Sequence, residues 1–310
     1  MKSRHLGRSG LRVSQIGLGC NVFGTMEQER AKAVIHKAID SGITFFDTAD
    51  VYGGRGKSEE QIGSILGDRR KEIVLATKFA APMDDAGHKR GGSRYYIMQA
   101  VEDSLRRLKT DYIDLYQMHQ FDPRTPLEET LHAADDLVRQ GKIRYFGVSN
   151  HPAFRVAESH FISQHQHIAP VVSTQNGYSL LNRAIEADIM PMAEAYGIGV
   201  IPYSPLAGGL LSGKYRQGET APEGTRLSRA AYASRVMTDR NMDKMEKLRV
   251  FAAERGKTLL DIAFGWLLSR PQISSVIAGA TQPEQIEQNA AAGDYLMSED
   301  EVKEVEKIAA

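Results

Sequence analysis

A single cysteine, Cys20, leaves the chain unable to form an internal disulfide. That excludes a disulfide-stapled extracellular scaffold and fits a reducing compartment. Net charge is missing too, because 39 Lys and Arg balance 39 Asp and Glu. A balanced chain has no broad basic footprint for nucleic acid or an anionic membrane, so neither is expected as a partner. No apolar run is long enough to read as a bilayer span. Residues 1–10 lack the apolar stretch of a secretory leader, and the expected location is cytoplasmic. Linkers, internal repeats and low-complexity tracts are absent as well. The 310 residues are expected to form one domain over 1–310, long enough to bury a core without metal or disulfide.

What the chain does have is alternation. Short apolar runs rich in β-branched and aromatic residues fall at 15–19, 44–47, 73–78, 112–119, 143–150, 171–176, 199–203 and 274–278. Helical patterns separate most of them. Between 28 and 41, Ala31, Val34, Ile35, Ala38 and Ile39 share one helical face, and Gly42 stops the helix. Ser58-Glu59-Glu60-Gln61 reads as a capping box opening a helix that ends near Gly67. Further helices are expected at 93–108, 127–140, 153–164 and 183–196, two of them stopped by Gly141 and Gly197. Eight alternations, with strands apolar on both faces, predict an α/β fold, a (β/α)8 TIM barrel, rather than an open sheet. Residues 1–14 predict an N-terminal β-hairpin closing the bottom of the barrel. Residues 204–240, rich in Gly, Ser and Arg, predict a long functional loop after the seventh strand. Residues 298–310 predict a last surface helix.

Active sites of such barrels lie at the C-terminal ends of the strands. The polar residues there are Asp47 with Tyr52 just beyond it, then Lys78, His119, Ser149 and Asn150, Gln175 and Asn176, and Tyr203 and Ser204. Each alone has a bland explanation: a turn aspartate, a solvated lysine, a buried histidine, a packed tyrosine. Four titratable types at adjacent strand ends are harder to dismiss. Their chemistry is complementary. An ammonium stabilises a phenolate and lowers its pKa, an aspartate holds the lysine, and a histidine orients a substrate oxygen or shares its proton. The set suits proton transfer to a carbonyl oxygen while another group delivers hydride.

These residues carry a resemblance to the aldo-keto reductases over essentially the whole chain. Leu6-Gly7-Arg8-Ser9-Gly10-Leu11-Arg12-Val13-Ser14 with Ile16-Gly17-Leu18-Gly19 resembles the start of that family. Phe46-Asp47-Thr48-Ala49-Asp50-Val51-Tyr52-Gly53, Ala76-Thr77-Lys78, Asp114-Leu115-Tyr116-Gln117-Met118-His119 and the segment from Gly141 to Asn150 resemble its later motifs. The resemblance implies a tetrad of Asp47, Tyr52, Lys78 and His119, with Tyr52 as general acid in reduction. It implies NADP(H), with NAD(H) as the alternative. Ser149, Asn150 and Gln175 would hold the nicotinamide carboxamide, and Tyr203 would stack on its ring. The stretch from Ser204 to Lys214, with Pro205, Leu206, Gly208, Leu210 and Gly213, resembles the loop that wraps the pyrophosphate. Gly279, Ala280, Thr281, Gln282, Gln285, Gln288 and Asn289 would meet the adenosine end. That segment has no arginine or lysine where most relatives carry basic side chains for the 2′-phosphate. NADPH use with weak discrimination against NADH is therefore expected, with Lys214, Arg216 or Arg226 as compensating cations.

Other signals are weaker. Gly56-Lys57-Ser58 resembles the end of a phosphate-binding loop, but Val51 stands where the pattern needs glycine. Gly17 and Gly19 lack the third glycine of a dinucleotide fingerprint. His160, His165 and His167 have no accompanying carboxylate or cysteine, and no metal is expected. Cys20 is expected in the pocket wall, with Asn21, Val22, Phe23, Phe79, Gln120 and Phe121, and Tyr232 lent by the long loop. The expected ligand is a small carbonyl or alcohol; the residues name neither it nor the oligomeric state. Two other functions stay open: a cofactor-binding regulatory or structural relative without turnover, and a barrel isomerase or lyase without nicotinamide.

Overall fold

The computed structural model describes residues 1–310. Two short strands, β1 (Ser3–His5) and β2 (Arg12–Ser14), pair antiparallel as the expected hairpin. Eight parallel strands follow: β3 (Ile16–Gly19), β4 (Phe45–Asp47), β5 (Val74–Phe79), β6 (Ile113–Met118), β7 (Ile143–Ser149), β8 (Val171–Gly177), β9 (Gly199–Tyr203) and β10 (Val276–Gly279). Their order is β10-β3-β4-β5-β6-β7-β8-β9. The remaining seam is closed by an isolated parallel bridge between Val200 and Ile273, just before β10. The result is the nearly closed (β/α)8 barrel that the alternation predicts.

Helices α1 (Gln28–Asp40), α2 (Tyr52–Arg55), α3 (Lys57–Leu66), α4 (Arg94–Leu108), α5 (Leu127–Arg139), α6 (Ala153–Gln166) and α7 (Ile189–Tyr196) follow β3 to β8. After β9 come α8 (Ala230–Val236), α9 (Asp239–Glu254) and α10 (Leu259–Leu268), and after β10 come α11 (Pro283–Gly293) and α12 (Glu299–Ala309). The five α1 residues expected on one face are all buried, and Gly42 follows with a left-handed φ of 77°. The capping box expected at Ser58 is not formed. α3 starts at Lys57, so Ser58 lies inside it and donates instead to the Cys20 carbonyl at 2.8 Å. Gln61 accepts from the Gly24 amide and donates to the Met26 carbonyl. Tertiary partners outbid the local cap because Ser58 faces the end of β3 and Gln61 faces the loop that leads into α1. The expected helix at 183–196 is broken at its start, with a 3-10 turn at Ala184–Glu186 before α7. Helices α9 and α10 fall outside the segments that the sequence pattern marks.

Side chains alternate across each strand. Inside the barrel, Phe45, Ala76, Leu115, Val172, Ile201 and Ile277 form a small apolar cluster with Leu6 and Val13 of the hairpin. The hairpin thus plugs the bottom, and Arg4 pins it by donating to the carbonyls of Arg270 and Ile273. Gly17 makes room in this interior, since a Cβ there would come within 2.7 Å of Ile277 and 2.9 Å of Phe45. Outward-facing residues join the helices in a second cluster of 69 buried residues.

Candidate active site

Above the apolar plug, the next inward-facing layer is polar. Asp47 ends β4 and is 3 % exposed. Its Oδ2 accepts from Lys78 Nζ at 2.6 Å, and its Oδ1 accepts from Gln117 Nε2 at 3.0 Å and Gln175 Nε2 at 2.9 Å. Lys78 is fully buried and also donates to the Thr48 carbonyl at 2.9 Å. A buried ion pair of this kind survives only if its remaining hydrogen-bonding capacity is met, and here strands β4, β5, β6 and β8 together meet it.

The backbone then carries Tyr52 over this pair. Thr48, Ala49 and Asp50 are buried, and the chain turns through Gly53 and Gly54 at φ of 70° and 93°. Gly53 sits so close to the Phe23 carbonyl that a Cβ would reach 2.6 Å from it. Lys78 Nζ lies 5.1 Å from the Tyr52 ring centroid, and the His119 ring meets Tyr52 edge-on at 5.6 Å. The four residues of the expected tetrad are therefore brought together.

Their electrostatics differ from the expectation in one respect. Burial pushes the Tyr52 hydroxyl above the usual phenol range, and Asp47 adds to this, while Lys78 opposes it without prevailing. The lysine's charge is largely spent on Asp47, so the net direction is upward, not the lowering first expected. Tyr52 is a neutral hydroxyl at pH 7. Burial pulls Lys78 down, but Asp47 and Tyr52 outweigh it and the ammonium is retained. Burial, with Lys78 second, pulls His119 down to about 3. Its ring is neutral at pH 7, and its Nδ1 is buried without a protein partner.

The rim beside the tetrad is polar and interlocked. Asn150, at φ 56°, donates from Nδ2 to the His119 carbonyl and to Ser149 Oγ, both at 3.0 Å. Its Oδ1 accepts from Tyr203 OH at 2.9 Å. Ser149 Oγ donates to the Gln175 carbonyl at 3.0 Å. The Tyr203 ring lies against Gly177, where a Cβ would come within 3.3 Å of it. These amide and hydroxyl groups beside a flat aromatic face fit a nicotinamide ring and its carboxamide. Beyond β9, Ser204 and Ala207 have φ of 54° and 47°, and Gly208, Gly209 and Gly213 have φ of 69°, 103° and 86°. Left-handed residues of this kind are the units from which anion cradles are built; here the amides of Ala207, Gly209 and Leu211 bond back to the carbonyls of Ser204 and Leu206. Pro205 and Leu210 are buried, Leu206 is half-buried, and Lys214 is exposed with its Nζ 5.5 Å from the Tyr215 ring. In the segment expected to meet adenosine, Gly279, Gln282 and Gln288 are exposed, while Ala280 and Asn289 are buried. Gln285 Oε1 accepts from the Thr281 amide at 2.7 Å.

The expected pocket wall is only partly assembled. Phe79 is fully buried outside the barrel, stacked on Tyr116 at 4.7 Å, because it alternates with inward-facing Lys78. Phe23 and Cys20 are also fully buried and offer no surface to a ligand. Asn21 and Gln120 are exposed, Val22 and Phe121 half-buried, and Tyr232 exposed on α8. Phe121 meets the buried His151 edge-on at 5.5 Å. Gln117 is the site residue that sequence reading passed over; its position two before His119 on β6 was the available signal. A cavity of about 720 Å³ opens elsewhere, at the bottom of the barrel between Arg8, Tyr145, Val172 and Tyr196, and touches none of these residues.

The aldo/keto reductase family profile matches residues 15–310. This chain belongs to the aldo/keto reductase family. An uncharacterized oxidoreductase, YrpG, of Bacillus subtilis (strain 168) is 37 % identical over 92 % of this chain and 89 % of its own length. A probable voltage-gated potassium channel subunit beta of Oryza sativa subsp. japonica is 36 % identical over 96 % of this chain and 92 % of its own. The L-glyceraldehyde 3-phosphate reductase of Escherichia coli (strain K12) is 34 % identical over 96 % and 88 %. The relatives thus include named oxidoreductases and proteins named as channel subunits. No helix of this aldo/keto reductase is long and apolar enough to cross a membrane.

Proposed function

We propose that this aldo/keto reductase acts as one barrel domain that reduces an aldehyde or ketone to an alcohol, reversibly, with NADP(H). The observation that carries this reading is the buried Asp47–Lys78 pair beneath a neutral Tyr52, with a neutral His119 at its edge. A bound nicotinamide supplies the hydride that reaches the carbonyl carbon. Tyr52 gives its hydroxyl proton to the carbonyl oxygen, and the resulting phenolate is stabilised by Lys78. Asp47 keeps Lys78 charged and in place. His119, neutral, orients the carbonyl oxygen by hydrogen bonding rather than by giving up a proton of its own. Ser149, Asn150, Gln175 and Tyr203 position the nicotinamide, and the segment from Ser204 to Lys214 receives the pyrophosphate.

Purified protein should oxidise NADPH, followed at the nicotinamide absorbance band, with at least one member of a carbonyl panel. Small phosphorylated and unphosphorylated aldehydes belong in that panel, given the relative named for L-glyceraldehyde 3-phosphate. Tyr52→Phe should keep cofactor binding and lose about 100- to 10,000-fold in rate. Near wild-type turnover by that variant sinks the assignment. The channel-subunit names among the relatives favour a second reading, a cofactor-binding regulatory protein. Tight NADPH binding with no turnover across the panel would favour it.

A further inference from the structure

The 279–285 segment carries no cation of its own, yet the fold brings one to it. Arg30, in the first turn of α1, donates from Nε to the carbonyl of Thr281 at 2.6 Å, across 251 positions of sequence. β3 and β10 are neighbours, so the loop after β3 delivers the start of α1 to the start of α11. Contact between the two helices continues two turns further along α1, where Lys37 pairs with Glu287.

Arg30 is engaged through Nε alone, and both terminal guanidinium nitrogens keep their donors. No carboxylate neutralises it. Glu29, the residue before it, makes no ion pair with it, and Glu27 accepts from the backbone amides of Glu29 and Arg30 at 2.9 Å each, and so serves the helix end. The groups at Thr281 are short of charge. The Thr281 amide is satisfied by Gln285, the Gln282 side chain makes no cap bond, and Glu284 adds a negative charge in the first turn of α11. Of the cations that the sequence suggested, Arg216 donates to the carbonyls of Gly213 and Tyr215, Lys214 lies over Tyr215, and Arg226 is exposed on the 3-10 turn Arg226–Ser228 with no side-chain partner.

We propose that Arg30 is the specificity-determining residue for the cofactor, binding the 2′-phosphate of the adenosine ribose beside Thr281 and so selecting NADP(H) over NAD(H). This rests on the dinucleotide reading of the site. A guanidinium anchored at Nε presents a planar pair of donors, and charge-assisted bonds to phosphate are about twice as strong as neutral ones. Discrimination against NADH is then stronger than the composition of 279–285 alone suggests.

Fluorescence titration of the intact protein with NADPH and NADH, and displacement by adenosine 2′,5′-bisphosphate, test it without turnover. Arg30→Met should raise the Kd for NADPH and for the bisphosphate about 10- to 100-fold. It should leave NADH within about twofold, since no interaction with the unphosphorylated ribose is lost. Arg30→Lys should fall between, keeping the charge without the planar anchor. Equal weakening of NADPH and NADH would mean that Arg30 only braces the Thr281 turn, and an unchanged NADPH affinity would place the phosphate elsewhere; either overturns the proposal. A wild type that binds neither dinucleotide would overturn the cofactor reading itself.

Discussion

Asp47 shows how much of this site rests on single side chains. It is buried against Lys78, Gln117 and Gln175, so its charge is compensated from three strands. Removing one partner of such a pair strands the other. Lys78→Met should cost about 3–5 kcal/mol of stability, and adding Asp47→Asn should restore most of it. Urea unfolding of both variants decides this, and a double variant as weak as the single one would count against the pairing account. Two histidines, the buried His151 and the half-buried His119, set a second residue-scale expectation. Burial holds His119 near 3 and His151 near 4, against an ordinary value of 6.5. Above about pH 6.5 both states carry neutral rings and nothing is lost. Below it the unfolded chain takes up protons that the folded chain refuses, so stability falls as pH drops toward 4. The melting temperature should therefore decline between pH 6.5 and 4.5. His151→Gln, which can still donate to the Ser149 carbonyl, should flatten that decline. An equally steep decline in the variant would sink the argument.

At the scale of elements, the stretch after β9 departs most from a plain barrel. The sequence suggests a bare loop over 204–240, whereas the structure folds it into a 3-10 turn at Ala207–Ser212, another at Arg226–Ser228, and α8. Leu210, Leu211, Tyr215 and Leu227 are buried beneath it. Arg229 to Tyr232 are exposed. A segment anchored by a few apolar residues and hinged at Gly208, Gly209 and Gly213 suits a lid that closes over bound pyrophosphate. Limited proteolysis should cut between Ser204 and Arg240 in the free protein and be suppressed by NADPH. Equal cutting with and without NADPH would refute the lid. The same scale explains the misread cap at Ser58. A Ser-x-x-Gln spacing is satisfied locally only when both side chains stay at a helix end, and here α3 begins at Lys57, two residues before the start that a Ser58 cap would set.

On the scale of the molecule, a polar functional layer sits on an apolar plug that the hairpin completes. Leu6 and Val13 are fully buried against the inner faces of the strands. Leu6→Ala should cost about 2–5 kcal/mol by opening a cavity at the sealed end, far from the tetrad. The variant should unfold at lower urea while keeping its KM for the carbonyl. A loss of activity in fully folded variant protein would mean that the plug also shapes the site.

The barrel itself was legible along the chain because its signals are local. Eight apolar runs, their spacing and the glycine stops each depend on a few neighbouring residues. The candidate tetrad was legible for the same reason, since strand ends mark where polar residues gather. Orientation was not legible. Lys78 and Phe79 are adjacent in sequence, yet one enters the site and the other packs on Tyr116, and the pleat and register of β5 decide which. The direction of the Tyr52 shift was not legible either, because it depends on burial competing with an ammonium whose charge Asp47 already holds. Nor could the sequence place Arg30 beside Thr281. Only the closing of the sheet makes β3 and β10 neighbours, and that contact spans nearly the whole chain.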